Sequence, residues 1–105
     1  MQNSFTEENY LKAIYKLAQR EKKGVSTNAL AERMDTKASS VTDMVKRLAQ
    51  KKLVNYKKYQ GVTLSKRGQK IAVNIIRKHR LWEVFLAEHL EMSGNEVHDV
   101  AEQME

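Results

Sequence analysis

Residues 26–64 read STNALAERMDTKASSVTDMVKRLAQKKLVNYKKYQGVTL. Ser26 is placed to cap a short helix, TNALAERM, whose Ala29, Leu30 and Met34 share one face. Asp35-Thr36-Lys37 breaks that period, and a second helical pattern resumes over about 37–51 with Val41, Met44, Val45 and Leu48 on its apolar side. Two short helices joined by a three-residue turn make a helix-turn-helix. Leu53-Val54-Asn55-Tyr56 then reads as a strand, residues 57–61 as a turn and Val62-Thr63-Leu64 as the return strand. A hairpin directly after such a motif is a wing.

The flanking sequence extends the pattern. Upstream, TEENYLKAIYKLAQR (6–20) places Tyr10, Leu11, Ile14, Tyr15 and Leu17/Ala18 on one helical face, with Thr6 as N-cap, Glu7 and Glu8 in the first turn and Lys22-Lys23-Gly24 as the stop. Downstream, Ser65 caps a long helix over 66–89 that contains no breaker. A Ser93-Gly94-Asn95 turn leads to a last helix over 95–105. The predicted fold is mostly α: a winged helix-turn-helix with a two-stranded β wing, followed by a long helix and a C-terminal dimerisation helix.

Composition agrees. The 105 residues are 41% hydrophobic with neither cysteine nor proline, and mean hydropathy is −0.66. No apolar run approaches the roughly 18 residues of a membrane span, and the first ten residues lack the basic-then-apolar pattern of a secretory signal. Absence of cysteine excludes disulfides and thiolate metal sites and fits a reducing cytoplasm. All 19 Lys and Arg lie within residues 1–80 against six acidic residues, a net +13; residues 81–105 hold seven acidic residues and no Lys or Arg, a net −7. The basic segment implies a polyanionic partner, because neutralised phosphates release condensed counterions.

In a helix-turn-helix the second helix enters the major groove by its solvent-facing residues near the N-terminus. Here these are Lys37, Ser39, Ser40, Thr42, Asp43, Lys46 and Arg47. The hydroxyls suit phosphate, Lys37 suits guanine or phosphate, and Asp43 suits a cytosine amine. Taken singly, each is as well explained by a solvated face, with Ser40 and Asp43 forming a capping box; the charge of the whole segment favours DNA. Lys57, Lys58 and Tyr59 at the wing tip suit backbone or minor-groove contact, although any exposed hairpin carries such charges.

The runs ASSVTDMVKRLAQKKLV, YKKYQGVTLSKRG, RKHRLWEVFL and EVHDVAEQME resemble the metal-responsive repressors of the diphtheria-toxin-repressor and manganese-transport-regulator type, over about residues 6–105. The helix-turn-helix part is shared by many winged-helix families; the last two runs are more specific. The resemblance implies a homodimer on a palindromic double-stranded operator, activated by manganese(II) or iron(II), and longer members carry a further C-terminal domain.

His79 and Glu83 are four apart, and His98, Glu102 and Glu105 are spaced four and three apart, so each set shares a helical face. If the two helices pack antiparallel, two imidazoles and up to three carboxylates converge, a donor set for iron, manganese, nickel or zinc. Spacing alone favours ordinary surface residues; the resemblance favours metal. By resemblance, His79, Glu83 and His98 form one ligand group, while Glu102 and Glu105 form a second with Asn9. Three departures stand out: Asn9 replaces the usual Met or Asp, Lys12 occupies a position that is a carboxylate in the manganese type, and the His expected after Glu105 lies beyond the sequence, which we expect to be part of a longer chain. A metal joining Asn9 to the later ligands would fix the DNA-binding unit relative to the dimer-forming tail.

Leu81, Val84, Phe85, Leu86, Leu90, Val97, Val100, Ala101 and Met104 exceed what a short tail buries alone and suggest a two-fold interface, with Trp82 as core or interface. The sequence therefore divides into a DNA-binding domain (1–65) and a helical metal-binding and dimerisation region (66–105). Competing readings are a winged-helix regulator without metal input, in which the His and Glu residues would scatter, and a winged helix used for protein contact, which the +13 segment opposes. No H-E-x-x-H, phosphate loop or nucleophile triad points to an enzyme.

Overall fold

A computed structural model describes residues 4–21, 24–58, 60–89 and 94–104. The elements are α1 (Phe5–Arg20), α2 (Thr27–Met34), α3 (Ala38–Gln50), β1 (Val54–Lys57), β2 (Gly61–Leu64), α4 (Lys66–His89) and α5 (Gly94–Met104). The chain divides into two compact units, residues 1–72 and 73–105, and α4 is one uninterrupted helix that begins in the first and continues through the second.

In the first unit, α1 starts one residue before the predicted cap. Ser4, not Thr6, is the N-cap: its hydroxyl accepts from Glu7 N–H at 3.1 Å and its own N–H donates to Glu7 Oε1 at 3.0 Å. Glu7 at the third helical position completes a capping box that Thr6 has no equivalent partner to form. The helix stops at Arg20 with Glu21 as C-cap; Lys22 and Lys23 lie outside the described residues. Tyr10, Leu11 and Ile14 are buried as expected, Tyr15 and Leu17 pack partly against the core, and Ala13 rather than the exposed Ala18 completes the inward face.

Ser26 caps α2 by accepting from Ala29 N–H at 3.0 Å. Both helices of the motif end without glycine. Asp35 (φ 51°) and Lys52 (φ 61°) take the left-handed conformation. After α2, Asp35 N–H reaches Glu32 O and Thr36 N–H reaches Ala31 O; after α3, Lys52 N–H reaches Ala49 O and Leu53 N–H reaches Leu48 O. These paired bonds satisfy the last carbonyls of each helix. Leu48 and Leu53, brought together by the second, are both fully buried.

β1 and β2 form an antiparallel pair, Val54 opposite Leu64 and Lys57 opposite Gly61. The turn-proximal part of the wing is fastened at Val25, which exchanges two 2.8 Å backbone hydrogen bonds with Val62. Gly61 (φ 89°) passes so close to Gly24 and Val25 that a side chain there would meet backbone. One core joins Leu11 and Ile14 of α1, Leu30 of α2, Val41, Val45 and Leu48 of α3, Val54 and Val62 of the wing, and Ala72 of α4.

Ser65 caps α4 as predicted, its Oγ accepting from Gly68 N–H at 3.0 Å while donating to Lys52 O at 2.8 Å. Gly68 is buried against this junction, and a Cβ there would come within 2.0 Å of Leu53 O. In the second unit, Leu86 of α4 and Ala101 of α5 are buried, with Trp82 and Val100 packed on them. The predicted Ser93-Gly94-Asn95 turn differs: Gly94 and Asn95 already belong to α5, and Ser93 lies outside the described residues, as do Leu90 and the side chain of Val97. Leu81, Val84 and Phe85, on one face of α4, and Met104 of α5 are exposed.

Glu7 and Lys51 join the start of α1 to the end of α3. Lys51 Nζ lies 2.7 Å from Glu7 Oε2, a buried oxygen that has no other partner among the described residues. The Lys51 ammonium, together with the Ser4 N–H, holds the Glu7 carboxyl at about 2 against burial, which acts the other way. Because the folded value lies below the ordinary 4.5, the pair's stabilisation is complete above pH 4.5 and is lost as pH falls toward 2. Urea unfolding should show Glu7→Gln destabilised by about 2 kcal/mol at pH 7, with the difference from the parent shrinking steadily below pH 4.5. Gly68→Ala should cost about 1–3 kcal/mol through overpacking against Leu53 O; an unchanged denaturation midpoint would contradict the close approach.

Candidate metal centre and nucleic-acid interface

Three side chains of the second unit meet at one point. His79 and Glu83 sit one turn apart on α4, and His98 faces them from α5. Their donor atoms all lie within 4.8 Å of one another. His79 Nε2 contacts Glu83 Oε1 and is 3.2 Å from His98 Nδ1, which is 3.5 Å from Glu83 Oε1. The rings meet edge to face, their centroids 4.8 Å apart. His79 is 9% exposed and forms the floor, whereas the His98 side chain is 60% exposed and forms the open side.

This arrangement tests whether a cation fits. A proton on His79 Nε2 can be directed at only one of its two neighbours. A single cation bound at about 2.0–2.2 Å by each donor separates those donors by roughly 3.0–3.5 Å, the range of the two longer distances here. Two imidazoles and a carboxylate, with no sulfur, suit a borderline divalent transition metal. The residues present therefore fit the group.

Glu102 stands behind the cluster rather than apart from it. Its Oε1 is 3.7 Å from His79 Nδ1 and 3.8 Å from His98 Nε2, the ring nitrogens turned away from the meeting point. A carboxylate on that side favours N–H there and leaves the opposite nitrogens as lone pairs for a metal. Asn9, half-buried, and the buried Lys12 lie on α1 in the other unit, and Glu105 lies outside the described residues.

The face predicted to read DNA is laid out along α3. Lys37 is its N-cap and gives no side-chain cap, in contrast to the serines that cap α1, α2 and α4. The first N–H groups of α3 are thus left for another acceptor, such as phosphate. Because α3 begins at Ala38, Ser40 is its third residue, and the capping box considered for Ser40 and Asp43 does not form. Lys37, Ser39, Ser40, Asp43, Lys46 and Arg47 are all exposed; Thr42 is half-buried and its hydroxyl donates to Ala38 O at 3.1 Å. Lys57 and Lys58 are exposed on the wing, and Tyr59 lies outside the described residues. The signals that sequence reasoning missed here are the absent cap of α3, which a lysine at position 37 foreshadows, and the approach of Glu102 to both imidazoles, which no spacing rule gives.

Comparison with known proteins agrees with both halves. Residues 4–62 match the family described as iron dependent repressor, N-terminal DNA binding domain, and residues 65–105 match iron dependent repressor, metal binding and dimerisation domain. The transcriptional regulator MntR of Oceanobacillus iheyensis is 36% identical over 99 residues, covering 93% of this chain and 65% of that protein. The diphtheria toxin repressor of Corynebacterium jeikeium is 34% identical over 98 residues, covering 91% of this chain and 40% of that protein. The solved structure of the manganese regulator SloR superposes with a TM-score of 0.78 at 41% identity, covering 99% of this chain and 47% of that one. The chain thus spans less than two thirds of the length of these relatives.

A divalent ion, if held by His79, Glu83 and His98, would staple α4 to α5, so manganese(II) should then raise the thermal midpoint. At a hundredfold excess over its dissociation constant the expected gain is about 2.7 kcal/mol. His98→Ala should abolish the gain while leaving the metal-free midpoint nearly unchanged, since His98 is largely exposed; a gain that survives the substitution would place the ion elsewhere.

Proposed function

The chain belongs to the iron-dependent repressor family, and on that footing we propose that it acts as a metal-activated transcriptional repressor, bound as a homodimer to a palindromic operator in double-stranded DNA, with manganese(II) or iron(II) as activator. The observation that carries this reading is the convergence of His79, Glu83 and His98 on one point. A regulator without metal input has no use for that arrangement.

Each part of the chain has a role in this proposal. Residues 1–65 bind DNA: α3 lies in the major groove, its uncapped N-terminus and Lys37 on phosphate, while Lys57, Lys58 and Tyr59 of the wing take the adjacent backbone. Residues 66–105 sense metal and dimerise. The exposed stripe of Leu81, Val84 and Phe85 supplies an apolar face for a second copy. When bound, the ion supplies a double positive charge and fixed bonding directions. His79 and Glu83 present donors from α4, His98 from α5, and Glu102, which the family resemblance assigns to a second ligand group, stands behind both imidazoles. Joining α4 to α5 selects one arrangement of the dimer-forming helices, a population shift toward the form that matches two half-sites. The protein works by binding and not as an enzyme, and its place is the cytoplasm, where its DNA lies.

Fluorescence anisotropy on palindromic DNA at fixed salt should show at least tenfold tighter binding with manganese(II) or iron(II) than with chelator, about 1.4 kcal/mol. His79→Ala should reduce that ratio toward one without altering affinity in chelator. Tight binding indifferent to metal would make the chain a winged-helix regulator without metal input.

A further inference from the structure

Asp43 is the one acidic residue on α3, and it stands in the middle of the face that meets DNA. Val41, Val45 and Leu48 define the buried line of the helix. At about 100° per residue, Ser39, Asp43 and Lys46 lie on the opposite, outermost line, with Ser40 and Arg47 beside them. A helix that enters the groove by this face cannot keep Asp43 out of it.

An acidic residue there is costly unless something repays it. Lys46 and Arg47 follow at the three- and four-residue spacings that form ion pairs on a helix, yet no lysine or arginine among the described residues pairs with Asp43. The carboxylate is exposed, accepts only, and is repelled by every phosphate. In the major groove only two base groups donate, cytosine N4 and adenine N6, and adenine N6 sits beside the N7 acceptor, which opposes a carboxylate. Cytosine offers its donor without that neighbour. Its partner guanine presents O6 and N7, acceptors for Lys46 one turn on. A C·G pair therefore matches the acid and the base of the outermost line together.

We propose that Asp43 is the specificity-determining residue of the reading face: it selects a cytosine at one position of each operator half-site and, by repelling phosphate, weakens binding to all other DNA. This rests on the reading of the chain as a DNA-binding repressor. The residue raises the ratio of specific to non-specific affinity from both sides, which matters more to a repressor than affinity alone.

The test is selection from a randomised duplex pool with manganese(II) present, using the full chain, Asp43→Ala and Asp43→Asn. The parent should enrich sites with cytosine fixed at one position per half-site, with roughly tenfold discrimination there. Asp43→Ala should lose that preference alone and keep the others. Asp43→Asn should shift the same position toward adenine, whose N6 and N7 match an amide. Both variants should bind random-sequence DNA more tightly than the parent at equal salt. An enriched site whose cytosine preference persists in Asp43→Ala overturns this inference and leaves the repressor reading intact. A parent that enriches no sequence overturns the repressor reading, and the inference with it.

Discussion

The presentation of α3 depends on three consecutive residues, Lys51, Lys52 and Leu53. Lys51 reaches the buried Glu7 carboxylate of α1. Lys52 turns left-handed, a conformation that costs an L-residue roughly 1–2 kcal/mol, and its carbonyl accepts from Ser65 Oγ. Leu53 returns its N–H to Leu48 and lends its carbonyl to Ser65 N–H at 3.0 Å, while Gly68 leaves room for that carbonyl. The strain at Lys52 is offset by the two closing hydrogen bonds and by burial of Leu48 and Leu53, each worth of order 1.5–3 kcal/mol. One turn thereby sets the end of α3, the start of the wing and the first turn of α4.

Charge and capping divide the work along the chain. The elements that serve as scaffold are closed by their own serines: Ser4, Ser26 and Ser65 each satisfy an orphan N–H at 3.0–3.1 Å. The helix proposed to read DNA, α3, has no side-chain cap, and its N-cap residue is Lys37. All the chain's cationic side chains lie before residue 81, and the imidazole–carboxylate cluster has its His98 and Glu102 in the wholly acidic remainder. The proposed polyanion and cation would thus be drawn to different parts of the same chain, whose net charges are +13 and −7.

Much of this was legible in the sequence because it is local. The 3.6-residue period exposed the inward faces of α1, α2 and α3, and Ser26 and Ser65 were readable as caps because each stands immediately before a helical run. The sequence points to Thr6 as readily as to Ser4, since both are hydroxyl residues near the same start; only the reciprocal bond with Glu7 distinguishes them. The ends of α2 and α3 carried no glycine signal, because Asp35 and Lys52 accept a left-handed backbone that the neighbouring hydrogen bonds impose. Contacts between distant residues were the least legible. Nothing in the spacing of Glu7 and Lys51, or in the single carboxylate of Glu102 reaching two imidazoles, can be inferred without the packing that makes them neighbours. The His79–Glu83–His98 convergence was readable only as a condition on how α4 and α5 meet.

The centre is built wholly from nitrogen and oxygen donors, and the 105 residues contain no cysteine. Peroxide oxidises a thiolate stepwise to sulfenic, sulfinic and sulfonic acid, and a sulfur-ligated sensor loses its ligand on that path. Imidazole and carboxylate have no corresponding thiol ladder. Peroxide in solution therefore finds no sulfur ligand to remove from this set, and damage to the imidazoles would need oxidants generated at a bound redox-active ion.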